Sequence, residues 1–193
     1  MSAMAATKLT YEVSVPNKDK RLRELIIYIA GRCLTNEFFG TVKLNKILFH
    51  SDFRAFRKYG KPITGQKYKK DERGPVPVHI KPVQMEMEKR HDILVIEEEV
   101  YGLIQRRVVP LRQPDLTVFT GQDIAVVDEI IKELWNKTAT QVSAESHGIQ
   151  WNTRVMNDPI PYEAAYLSDE PITPAEIERT AALHSKYKWA SAT

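Results

Sequence analysis

The densest run of groups able to do chemistry is Ser143-Ala144-Glu145-Ser146-His147, where two hydroxyls and a carboxylate stand beside an imidazole. Such a set could supply a nucleophile and its base. Catalytic groups, however, converge from separate elements, whereas near neighbours in sequence hydrogen-bond locally and shape turns. The turn is the reading adopted. His50, His79, His91 and His184 complete the histidines, and none forms an i, i+4 pair with metal-binding spacing. His50 and Asp52 are two residues apart, so on a helix they point to different sides. There is no glycine-rich phosphate loop, no G-x-S-x-G elbow and no H-E-x-x-H pair. Cys33 is the only cysteine, which excludes an internal disulfide and a cysteine-rich zinc site. On an apolar helical stripe it reads as a small buried hydrophobe. No catalytic residue, metal ligand, cofactor or small-molecule substrate is expected.

The bulk properties agree with a folded chain that works through contact. Lys and Arg number 28 against 25 Asp and Glu, a net +3, so no strong basic field draws in nucleic acid. Hydrophobic residues at 42% and 193 residues of length suffice for a core without disulfides or metals. Charge interrupts the apolar run Leu25 to Gly31 on both sides, so no membrane span is expected. The N-terminus lacks a basic-then-apolar leader pattern, and the cytoplasm is the expected location.

Positioning such groups requires elements, and periodicity supplies them. Leu22, Leu25, Ile26, Ile29 and Cys33 predict a first amphipathic helix. Leu44, Ile47, Leu48 and Ala55, broadened by Phe49, Phe53 and Phe56, predict a central second helix from the cap Thr41 to Tyr59. Residues 63–70 read as a turn and short strand, and Arg73-Gly74-Pro75-Val76-Pro77 as a rigid connection. A third helix starts near Val78, with Pro82 in its first turn. Ile93 to Leu111 predicts a hairpin reversing at Gly102, with Glu97 to Glu99 across from Arg106 and Arg107. Thr120 to Asp123 opens another helix, and Thr173 caps a last one whose first residue is Pro174. Gln141 to Leu167 reads as loop-rich. The expected fold class is α+β: a mostly α-helical single domain with a small antiparallel hairpin or sheet. That domain spans residues 17–193, behind an N-terminal tail of residues 1–16. The element order also suits a winged helix, with Val78 to His91 as recognition helix and Ile93 to Leu111 as wing. Glu86 and Glu88 on that helix count against phosphate contact.

The segment Val42-Lys43-Leu44-Asn45-Lys46-Ile47-Leu48-Phe49 resembles the start of the Panacea domain, formerly a domain of unknown function. The pattern continues in Tyr59-Gly60-Lys61-Pro62-Ile63-Thr64-Gly65, Tyr68, Gly74-Pro75-Val76-Pro77 and Leu111-Arg112-Gln113-Pro114-Asp115-Leu116. Ser146-His147, Trp151 and Ile160-Pro161-Tyr162-Glu163 complete it, in the right order from about Arg21 to Leu167. Two positions depart: Phe49 stands where relatives carry Tyr, and Asn157-Asp158-Pro159 where they often carry Gly-Asp. The resemblance implies a non-enzymatic antitoxin that neutralises a cognate toxin by direct protein–protein binding. Toxins in such pairs are mutually unrelated, and some relatives lie in prophages. It also implies one alternative, a SocA-type adaptor that delivers its toxin to the ClpXP protease machinery; the winged-helix element order offers another, a DNA-binding regulator. Lys43, Asn45, Lys46, Tyr68, Gly74, Pro75, His147, Trp151, Tyr162 and Glu163 are the motif residues expected to line a groove or form a buried polar network. Tyr101, Arg106, Arg107 and Trp189 are the expected exposed toxin contacts.

Overall fold

The computed structural model of the chain describes residues 9–167 and 174–187. In chain order the elements are α1 (Lys18–Arg32), α2 (Thr41–Tyr59), β1 (Tyr68–Lys69), β2 (Val76–Pro77), α3 (Ile80–Lys89), β3 (Ile93–Val100) and β4 (Leu103–Pro110). Then follow α4 (Gly121–Leu134), α5 (Ala139–Glu145), α6 (Ile149–Asn152), β5 (Pro159–Ile160) and α7 (Pro174–Tyr187). The fold is α+β and mostly helical, with two small antiparallel sheets.

α2 is the organising element because its apolar positions cover more than one face. Leu44, Ile47, Leu48 and Ala55 join α1, α4 and the base of the β3–β4 ribbon in one core cluster. Phe49 and Phe53 point elsewhere, into a second cluster with Tyr68, Ile160, Tyr162 and Ala164. Each buried Leu, Ile or Phe among them contributes roughly 1.5–3 kcal/mol. One helix thus holds two cores together.

The boundaries follow local chemistry. Gly40, not the expected Thr41, caps α2, and no side chain bonds its first turn. At its other end Gly60 takes the left-handed region at φ 70 and donates its N–H to the Phe56 carbonyl, which terminates the helix. Thr120 and Asp123 form a reciprocal capping box that starts α4 where the sequence predicts a start. Thr138 and Gln141 form a second box that starts α5, a helix that runs into the stretch expected to be loop-rich. The expected Thr173 cap lies outside the described residues.

The smaller sheet has the order β2-β1-β5, with Tyr68 opposite both Pro77 and Ile160. The Gly-Pro-Val-Pro connection therefore contributes a strand as well as a turn. The larger sheet is the β3–β4 ribbon, reversing through Tyr101 (φ 51) and Gly102 (φ 77). Glu97 lies across from Arg106 as expected, whereas Arg107 lies across from Ile96, and Glu98 and Glu99 lie across from Gln105 and Ile104. Ile93, Val95 and Val108 anchor its base, while Tyr101, Leu103 and Ile104 at its far end are exposed. Ahead of α1, Val13 donates its N–H to the Gly65 carbonyl, and Val15 is buried. Every described side chain of α7 is exposed.

Candidate functional site

The motif residues do not meet in one groove. They divide among buried clusters, each held by α2 on one side. Lys46 sits on the inner face of α2 with no exposed surface, and its Nζ donates to the Pro75 carbonyl at 2.9 Å. The chain passes so close here that a Cβ on Gly74 would lie 2.8 Å from Lys46 Nζ and 2.2 Å from Ser146 Oγ. Gly74 also holds φ 88, in the left-handed region, so glycine is required on two grounds. Burial lowers the Lys46 ammonium to about 7, and the Asp71 carboxylate only partly opposes it. Ser146 Oγ donates to the Ser143 carbonyl at 2.7 Å, closing the end of α5. The serine adjoining His147 thus makes the local hydrogen bond of a turn.

Beside Lys46, the His147 ring stacks on Trp151 with centroids 3.7 Å apart and planes 12° from parallel. Lys70 Nζ stands 3.7 Å from the centre of the same indole, and Trp151 Nε1 donates to the Asp71 carbonyl at 3.1 Å. Burial, then the charges of Lys46 and Lys70, lower the His147 imidazole below its ordinary value. His147 Nε2 and Asn45 Oδ1 are buried and find no hydrogen-bond partner among the described residues. The arrangement favours a neutral histidine used as a flat aromatic surface.

The second cluster centres on Asp52, which the sequence reading did not single out. Its carboxylate is wholly buried and accepts from Thr64 N–H at 2.7 Å, from the Thr64 hydroxyl, and from Tyr68 OH at 2.9 Å. Tyr162 OH donates to the Gln66 carbonyl at 2.6 Å and lies 3.4 Å from the same carboxylate. Burial raises Asp52 above the usual carboxylate range against those hydrogen bonds, and it raises both tyrosines. Phe49, at the position that departs from the family pattern, packs here on Phe53 and Tyr68. Next to Tyr162, Glu163 receives the Thr10 N–H on both oxygens, at 3.0 and 3.2 Å. Tyr162 N–H donates to the Thr10 carbonyl at 2.7 Å, which ties the N-terminal segment to this corner. The available signal for Asp52 was an ionisable residue within the apolar stripe of a helix.

Lys43 belongs to a third place. Its Nζ donates to the Trp135 carbonyl at 3.0 Å, at the negative end of α4, where Asn36 Nδ2 donates as well at 2.8 Å. Burial lowers this ammonium to about 8. The Leu111-to-Leu116 block serves α1: Arg112 grips the buried Glu24 carboxylate through both terminal nitrogens at 2.8 Å. The Asp115 N–H reaches Glu24 at the same distance.

Of the expected exposed contacts, Tyr101 and Arg106 are at the surface. Arg107 is not. It is buried against the end of α1, donating to the carbonyls of Cys33, Leu34 and Asn36, with Glu98 3.2 Å away. The expectation of an exposed Arg107 is corrected: on the ribbon face that meets α1 it supplies the Leu34 carbonyl beyond the helix end with its donor and adds a second donor to the Cys33 and Asn36 carbonyls. Trp189 lies outside the described residues.

These arrangements hold backbone more readily than they hold a ligand. Lys46 and Asp52 have no exposed surface from which to reach a substrate. An open groove of about 650 Å³ runs between α1 and the Pro110-to-Leu116 segment, lined by Tyr28, Arg32, Leu34, Leu111, Arg112 and Leu116. Its titratable groups are already engaged: Arg112 by Glu24, and Tyr28 by Asp128, with the phenol pushed up to about 12 by burial and that carboxylate. Among the described residues no three His, Cys, Asp or Glu side chains cluster as a metal site. No helix of the described residues is long and apolar enough to cross a membrane.

A family model described as "Antitoxin SocA-like, Panacea domain" matches residues 44–152, more than half of the chain. No curated protein and no solved structure matches the chain. The matched span contains Lys46, Asp52, Tyr68, Gly74, Pro75, His147 and Trp151, whereas Tyr162 and Glu163 follow it.

Proposed function

Because the chain belongs to the family of SocA-like antitoxins with a Panacea domain, we propose that it silences a cognate toxin in the cytoplasm by binding it, with no bond-making chemistry of its own. The observation that carries this reading is the fate of the motif residues. Lys46, Tyr68 and Tyr162 are enclosed, the first bonded to the Pro75 carbonyl and the two tyrosines to Asp52 and the Gln66 carbonyl, so they fix a scaffold. Contact with another protein then falls to the surface. Tyr101, Leu103 and Ile104 at the ribbon tip, with Arg106, supply the aromatic, aliphatic and guanidinium anchors that such interfaces use. Stable neutralisation calls for an interface of about 1,200–2,000 Å².

Co-expression with the protein encoded beside it tests the proposal. The neighbour alone stops growth, and together with this chain growth returns. In vitro, toxin activity falls in proportion to added antitoxin and ends near one equivalent, as binding requires. A harmless neighbour, a toxin that remains active, or silencing at far below one equivalent overturns the reading. Toxin lifetime in the same cells separates direct silencing from delivery to a protease. Direct binding leaves that lifetime unchanged when the protease is deleted.

A further inference from the structure

We infer that the open edge of β3, at Glu97 to Val100, is a docking edge for an extended, basic segment of a partner protein, which adds to the ribbon as a third strand. This deepens the antitoxin reading and rests on it for the partner's identity, though not for its chemistry.

The direction of the main-chain groups comes first. A two-residue reversal makes Val100 and Leu103 a hydrogen-bonded pair, and such pairs alternate along an antiparallel ribbon. Leu94, Ile96, Glu98 and Val100 therefore face β4 with their N–H and C=O groups, and Val95, Glu97 and Glu99 face outward. Two contacts agree with this phase. The Val95 N–H leaves the ribbon and is met at 3.1 Å by the Glu88 carboxylate of α3. On the other strand, the Arg106 carbonyl faces Gly40, where an added Cβ would stand 3.0 Å from it.

The two edges thus differ. That of β4 lies against the loop ahead of α2, and that of β3 is covered only at its base, by Glu88. Beyond Val95, no hydrogen bond from the Glu97 or Glu99 amide leaves the ribbon among the described residues. An edge of this kind is a template for another strand.

Charge then selects the occupant. Glu97 and Glu99 are exposed on this edge, with Glu88 next to them. The nearest cation to Glu97 is Arg106, at 3.8 Å and itself exposed, which leaves most of that carboxylate's field unbalanced. A second copy pairing antiparallel here would set glutamates against glutamates, and like charges across strands repel. Phosphates are repelled for the same reason, which removes nucleic acid from this surface. A strand bearing Lys or Arg on alternate positions meets both demands: outward amides and carbonyls for its main chain, carboxylates for its side chains.

The test uses the full chain and a synthetic peptide of alternating Lys with Val or Thr, followed by backbone amide NMR and fluorescence anisotropy at low and physiological salt. Binding is expected to shift amides between residues 95 and 100 and to weaken as salt rises. Glu97→Lys with Glu99→Lys should weaken it at least tenfold. Glu99→Pro removes an outward N–H that the ribbon does not use, so it should weaken binding several-fold while circular dichroism still reports the folded chain. No binding, binding equal in all variants, shifts located elsewhere, or self-association through β3 each overturns the inference. In parallel, the same variants are tested for rescue from the neighbouring toxin. Rescue by wild type and not by the folded variants supports the edge. Equal rescue by all overturns the edge alone, and no rescue by wild type overturns the antitoxin reading while the peptide result still judges the edge.

Discussion

Lys46 shows how a motif residue can be indispensable without touching a ligand. Unfolded, its amine holds a proton up to about 10.5; folded, burial lets the proton go near 7. Between those values the unfolded chain binds more protons, so the lysine's contribution to stability rises with pH and is least favourable below 7. Lys46→Met has no such titration. Urea unfolding at pH 6 and 9.5 should show wild type gaining about 3 kcal/mol on the variant between them, and a constant difference would refute a buried, neutralising amine. Gly74 is tested by steric means. Gly74→Ala meets both a left-handed φ and two occupied neighbours, for a loss of about 2–5 kcal/mol. Gly60→Ala meets a left-handed φ of 70 in open space, for about 1–2 kcal/mol. Equal thermal shifts in the two variants would show that the Lys46–Ser146 corner yields freely. Little of this was legible in advance, since a motif marks Lys46 and Gly74 but not what they touch. Asp52 enters the sequence pattern only through its spacing from His50, which bears on metal pairing and not on packing. The informative question was why a carboxylate stands in the apolar stripe of α2.

At the scale of elements, the ribbon separates two arginines that are adjacent in sequence. Arg106 is exposed beside Glu97, whereas Arg107 is buried and satisfies three carbonyls near the end of α1. Arg107→Ala leaves the Leu34 carbonyl without its donor and takes a charged partner from Glu98 and from the Cys33 and Asn36 carbonyls, which keep one donor each; it should cost about 2–4 kcal/mol in denaturant unfolding. Arg106→Ala should change stability by less than about 0.5 kcal/mol. Similar losses for both would mean that the ribbon does not lie on α1 by this face. The ribbon, α1, α2 and α4 could be read from sequence because each repeats a strong local pattern: alternation, helical period, or a Thr-to-Asp cap. β1 falls within the short strand read at 63–70, but β2 and β5 could not be read, because strands of two residues have no period to detect. They exist only through pairing across long separations, Tyr68 with Pro77 and Ile160. α5 escaped notice for a different reason: its seven residues carry one buried apolar side chain, Val142.

For the molecule as a whole, the matched family span and the cooperative core are different objects. Residues 44–152 contain α3 to α6 and all of α2 except its first three residues, but the first core cluster also needs Leu22, Leu25, Ile26 and Ile29 from α1, and the second needs Ile160 and Tyr162. Removing α1 exposes the faces of α2 and α4 that it covers and leaves Arg107 and Arg112 without the groups they bind there. Removing residues beyond 152 takes away β5, the Tyr162 hydroxyl from the Asp52 network, and the Glu163 hold on Thr10. Either loss is too large for a fold whose whole stability is about 5–15 kcal/mol. A fragment of residues 44–152 should therefore be unfolded or aggregated. A fragment of residues 9–167 should keep the unfolding midpoint of the full chain within a few degrees, since α7 exposes every described side chain. Circular dichroism melts of the two fragments decide the matter. A cooperative transition in the shorter one would mean that α1 and the Tyr162 corner are additions to an autonomous core. The two polar clusters on α2 would then have to be explained without them.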